Sequence, residues 1–119
     1  MMKEQLIHLL EAYRSLGIVK GGELCLPPHD ALRLADDLEA IGVVVMGLDG
    51  WYYIDQDKGM IAQDLSVDLY VGDDVLRSSN SVHNSISIVK DFISTRLPER
   101  IAFVSFTLDV PSNWGLFPQ

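Results

Sequence analysis

Between residues 27 and 46 a proline pair, an amphipathic helix, a glycine stop and an apolar run follow one another without a linker. This block constrains the fold more than any other feature of the chain. Pro27-Pro28 can open a helix, because the N–H that proline lacks is unpaired in the first turn anyway. Asp30 then sits in that turn, where the positive end of the helix dipole favours it. Ala31, Leu34, Ala35, Leu38 and Ile41 recur at spacings of three and four and build one buried face. Arg33, Asp36, Asp37 and Glu39 lie around the other side. Gly42 stops the helix. Val43-Val44-Val45-Met46 follows at once and reads as a central strand, apolar on both faces.

The flanking segments extend this pattern. Residues 2–16 predict a helix, with Leu6, Leu9, Leu10, Tyr13 and Leu16 on one stripe and Gly17 at its end. Residues 18–26 read as a connector around Gly21-Gly22, with room for a short strand at Glu23–Leu26. Leu48-Asp49-Gly50-Trp51 carries a hairpin signal, because Asp-Gly suits two residues at positive φ. Trp51–Ile54 would then be the return strand. Asp55–Gly59 is a polar turn. Ser66–Val71 alternates with period two, as a strand with one wet face does. Residues 75–81 read as a loop. Val82, Ile86, Val89 and Ile93 keep helical spacing and predict a third helix over roughly 81–96, although Ser-Ile-Ser-Ile-Val also fits a strand. Ile101–Leu108 is a last buried strand. Residues 111–119 form a tail whose Trp114 and Phe117 either dock over the core or make an exposed patch. The expectation is one α+β domain over 1–119, in the order α-α-β-β-β-α-β. It has three helices and a mainly antiparallel sheet of about four strands, with the third helix a crossover.

Charge narrows the function. Seventeen Asp and Glu against nine Lys and Arg leave a formal charge of −8. The acids recur inside folded segments, at Asp36, Asp37, Asp49, Asp55, Asp57, Asp64, Asp68, Asp73 and Asp74. A body charged in this way repels nucleic acid and attracts basic partners. Lys and Arg nowhere cluster, which also argues against direct nucleic-acid binding. Cys25 is the only cysteine, so neither an intramolecular disulfide nor a cysteine zinc cluster can form. The first helix carries Glu4, His8 and Glu11, unlike a signal-peptide apolar region. No apolar run is long enough to span a bilayer. These features predict a cytoplasmic protein with no membrane role.

Recognised chemical motifs are missing. His8, His29 and His83 are scattered and none has a metal-ligand spacing such as His-Glu-x-x-His. Cys25 reads as a buried structural cysteine, with His29 and the following helix start as the alternative that would activate it. Asp36 and Asp37 are adjacent on a helix and point about 100° apart, so they share no cleft by themselves. Asp55-Gln56-Asp57-Lys58-Gly59 is a fragment of a calcium loop without its later ligands. No glycine pattern makes a phosphate loop. The sequence therefore predicts no catalytic residue, no cofactor and no metal. Trp51, Tyr52 and Tyr53 beside Asp49, Asp55 and Asp57 have the composition of an interaction hot spot, unless a helix covers them.

The stretch from Ala31 to Tyr52 also bears a resemblance. An alanine-led amphipathic helix, a short apolar strand, then Gly47-Leu48-Asp49 and an aromatic resemble small immunity proteins of bacterial polymorphic-toxin systems of the contact-dependent inhibition type. In one such group the apolar strand ends in a Gly-Gly-Asp-like turn, and here Leu48 stands where the second glycine would be. The resemblance places Gly47 and Asp49 on that turn in a structural role. It implies a cytoplasmic, non-catalytic protein that binds a cognate toxin domain and blocks its active site. Asp49, Trp51, Asp55, Asp57, Asp73 and Asp74 are the expected partner-binding residues, with Asp36 and Asp37 second. A non-catalytic adaptor for another protein, and a small acidic metal-binding protein or enzyme, are the alternatives.

Overall fold

The helices form where the apolar spacing puts them, as do the short strand at 23–25 and the last strand, whereas the strands between residues 43 and 71 do not. The computed structural model describes residues 2–69, 81–111 and 114. Its elements are α1 (Met2–Arg14), β1 (Ile18–Lys20), β2 (Glu23–Cys25), α2 (Pro28–Ala40), β3 (Val45–Asp55), β4 (Met60–Asp68), α3 (Ser81–Thr95) and β5 (Phe103–Leu108). The chain is an α+β domain with three helices and five strands among the described residues. The strands form two separate sheets, β1-β2 and β4-β3-β5. This overturns the expected single sheet of about four strands and the order α-α-β-β-β-α-β.

Two local causes account for the difference. Residues 18–26 turn at Gly21-Gly22 into an antiparallel hairpin, with Val19 opposite Leu24. The expected hairpin at Leu48–Trp51 does not form, and β3 runs through it from Val45 to Asp55. Gly50 is not among the residues at positive φ. It is needed for close approach instead: a Cβ there would sit 3.1 Å from the Ile101 side chain and 3.2 Å from Leu65. The real turn is the polar one after β3. Asp55 Oδ1 accepts the N–H of Asp57 at 3.1 Å and of Lys58 at 3.3 Å, an aspartate turn. Gly59 completes it at φ 65°, where a side chain would be strained. The two short strands expected at 43–46 and 51–54 are therefore one, and its partner β4 starts at Met60.

One face of the three-stranded sheet carries the helices. Leu48, Val45 and Val104 from the strands meet Leu34, Leu38, Ile86 and Val89 from α2 and α3 in the main core. Leu6, Leu10 and Tyr13 of α1 join it. α2 ends in a glycine-closed turn, with Val43 N–H donating to Leu38 O at 3.0 Å and Gly42 N–H to Glu39 O at 3.1 Å. Ser85 of α3 accepts the N–H of Val45 at 3.1 Å, beside a shift in the β3–β5 register. β4 and β5 both run antiparallel to β3, so they are parallel to each other and α3 lies in the crossover between them.

The other face is covered in part by the β1-β2 hairpin. Cys25 and Ile18 pack there on Trp51, Ile61 and Phe103 in a second, smaller core. A backbone bridge joins the two sheets where Leu26, just after β2, and Val104 exchange bonds of 2.9 and 2.7 Å. Among the described residues no helix is long and apolar enough to cross a membrane.

Candidate functional site

β3 and β4 outrun the rest of the sheet. The last pair between β3 and β5 is Trp51 with Phe103, and Ala102 N–H still donates to Trp51 O at 2.8 Å. Ile101 packs against Gly50 and Arg100 pairs with Asp64. From Tyr52 to Ala62 the strands therefore continue as a two-stranded arm, paired as Tyr52↔Ala62, Tyr53↔Ile61 and Asp55↔Met60. Ile61 of the arm is buried in the smaller core, but four large side chains are exposed: Tyr52 36%, Tyr53 38%, Ile54 57% and Met60 46%. Asp55 and Asp57 stand at the tip, with Lys58 Nζ 4.0 Å from Asp55. Large aromatic and aliphatic groups gathered beside carboxylates mark an interaction surface more than a random scatter of exposed residues does.

The arm is anchored by a polar network at its root. Trp51 is buried, and its indole N–H donates to Ser105 Oγ at 2.9 Å. The Ser105 hydroxyl donates to Glu23 Oε1 at 3.2 Å. Gln63 Nε2 donates to Asp49 Oδ1 at 3.4 Å. Burial pushes the Glu23 carboxyl up to about 7, and the charge of Asp49 and a hydrogen bond with it add to the effect. The bond from Ser105 works the other way. Cys25 is fully buried. Burial pushes its thiol up to about 12, with the charges of Glu23 and Asp49 behind that. Such a thiol keeps its proton at neutral pH and is no activated nucleophile. Lys20 Nζ donates to Ile61 O at 2.6 Å, tying β1 to β4. Tyr53 completes the anchor, its ring edge-on to Phe103 with centroids 5.3 Å apart.

The expected partner-binding residues divide into groups. Asp49 and Trp51 share the sheet face opposite the helices, at the root of the arm, and Asp55 and Asp57 occupy its tip. Asp49 belongs to the Glu23 network, and Trp51 is an anchor, not a contact surface. Gly47 and Asp49 lie inside β3 instead of on a turn. Asp36 and Asp37 belong to the helical layer. Asp36 pairs with Lys90 at 2.6 Å, and Asp37 accepts the Tyr13 hydroxyl at 2.6 Å. Asp73 and Asp74 lie outside the described residues, as does Phe117. The described acids of this set thus divide between the helical layer and the β3–β4 arm.

Sequence reasoning missed Glu23, Ser105, Ile54 and Met60. Glu23 and Ser105 come from strands 82 residues apart and carry no local pattern. Ile54 and Met60 lie beyond the last β3–β5 pair, near the tip of the arm. Among the described residues no group of three His, Cys, Asp or Glu side chains could hold a metal ion. His8, His29 and His83 are exposed, and His83 Nδ1 meets Glu39 at 2.8 Å. No protein-family model, curated protein or solved structure matches the chain.

Proposed function

We propose that this chain is a non-catalytic, immunity-type inhibitor acting in the cytoplasm, and that it docks the β3–β4 arm on a basic toxin domain. The observation that carries the reading is the arm itself, with Tyr52, Tyr53, Ile54 and Met60 exposed beside Asp55 and Asp57. The network of Trp51, Ser105 and Glu23 supports it by fixing the arm's root, which reduces the ordering cost of binding. The net charge of −8 supports the choice of a basic partner, since opposite charge steers encounter and can cover a surface built for phosphates. Inhibition then comes from occlusion and needs no reaction.

The reading predicts a toxin domain encoded beside this chain's gene, and the test is co-expression with that domain, scored by growth. Wild-type protein should restore growth. Ile54→Asp combined with Asp55→Lys should fail to do so while remaining folded by circular dichroism. Full rescue by that folded variant would remove the arm from the interface.

A further inference from the structure

The arm also has an open backbone edge. β3 is paired on both sides up to Trp51, and from Tyr52 to Asp55 it is paired only with β4 among the described residues. Trp51 O points to the β5 side, where it takes the Ala102 N–H. Backbone groups along a strand alternate in direction every residue, so the next N–H and C=O to face that side are those of Tyr53. The side chains around this edge, Tyr52, Tyr53 and Ile54, are strand-forming and exposed. Natural sheets usually blunt such an edge with lysine, proline or a bulge. The outer edge of β4 is treated in that way. It carries a register shift opposite Gly50–Trp51, and Asp64 and Asp68 lie along it. Lys20 reaches its Ile61 carbonyl. The β3 edge has its register shift only between Tyr53 and Asp55, so Tyr52 and Tyr53 stay in regular pairing with Ala62 and Ile61.

Building on the inhibitor reading above, we propose that the partner inserts an extended basic segment as a new strand on the open edge of β3 at Tyr52–Tyr53, continuing the line of β5. The Tyr53 N–H and C=O form the central backbone pair. Alternate side chains of the incoming strand lie over the Tyr53–Phe103 face and the Tyr52 face, and its cations meet Asp55 and Asp57. Strand addition supplies affinity through main-chain bonds and specificity through alternate side chains. A second copy of this chain is the weaker occupant, because self-pairing brings together two bodies of charge −8.

The experiment uses the full chain and a capped peptide, Lys-Thr-Val-Thr-Val-Thr-Lys, with a control in which Glu replaces both Lys. Amide hydrogen exchange is followed by NMR. At about ten times its Kd the basic peptide should slow exchange of the Tyr53 amide about tenfold, and the acidic control should not. Tyr53→Pro removes the ring packed on Phe103 and an N–H that faces away from β4, so it should keep the hairpin and lose the peptide, with Tyr53→Val as the control that loses the ring alone. Tyr53→Val should keep both. Equal protection by the two peptides, protection that leaves Tyr53 untouched, or undiminished binding to Tyr53→Pro would overturn the proposal. So would a dimer in sedimentation equilibrium with Tyr53 already protected. Should Tyr53→Pro not fold, the exchange pattern of the wild type decides alone. The two readings fail separately. Strand addition with no growth rescue removes the toxin, and rescue by Tyr53→Pro equal to wild type removes the strand.

Discussion

Replacing Glu23 with Gln should stabilise the protein above neutral pH and leave it nearly unchanged in acid. The folded protein holds the Glu23 proton to about 7 against an ordinary 4.5, through burial first and the nearby charge of Asp49 second. A native carboxyl with a raised pKa contributes stability that is complete below the unfolded value. That contribution is lost as pH climbs through the folded one. The window is therefore pH 4.5 to 7, with stability falling as pH rises. At full strength the shift corresponds to about 3 kcal/mol. Glu23 is only half-buried, so screening by solvent reduces the expected loss at pH 8 to about 1–2 kcal/mol. A glutamine amide can still accept from Ser105 and donate to Asp49, as the protonated acid does. The assay is urea unfolding of wild type and Glu23→Gln at half-unit steps from pH 4 to 8.5. The curves should coincide near pH 4 and separate above 6, with the variant more stable. Parallel curves, or a wild type that gains stability through this window relative to the variant, would refute the reasoning.

Three further outcomes follow from the same geometry. Cys25 should resist iodoacetamide at pH 8 in the folded protein and react promptly in urea, since it is fully buried with its thiol pushed up to about 12. Gly50→Val should destabilise by about 1–3 kcal/mol in urea unfolding, because its Cβ meets Ile101 and Leu65 at 3.1–3.2 Å. Ser105→Ala should lose about 1–3 kcal/mol by stranding the buried indole N–H of Trp51. Ser105→Thr, which keeps the hydroxyl, should lose less.

The helical part of the fold was legible because its signal is local. Ala31, Leu34, Ala35 and Leu38 are all buried in α2 as their spacing requires, and Ile86, Val89 and Ile93 are buried in α3. The stripe of α1 held for Leu6, Leu10 and Tyr13 but not for Leu16, which lies past the helix end and is 42% exposed. Strands depend on distant partners. Asp49-Gly50 has the composition of a tight turn. Gly50 is small for another reason, the approach of Ile101 from half the chain away. The site shows the same division. Its aromatic and acidic composition could be read at residues 51–57. The exposure of Ile54 and Met60 depends on how far β3 and β4 outrun the last pair with β5, and the Glu23–Ser105 bond on β2 lying against β5. No local pattern encodes either.

The most direct test of the inhibitor account is a pull-down from the native organism on immobilised wild type and, side by side, on the Ile54→Asp, Asp55→Lys variant, washed at low and then high salt and read for a basic toxin domain. The account predicts retention on wild type that weakens with salt, and loss on the folded variant. Equal retention on both would contradict it.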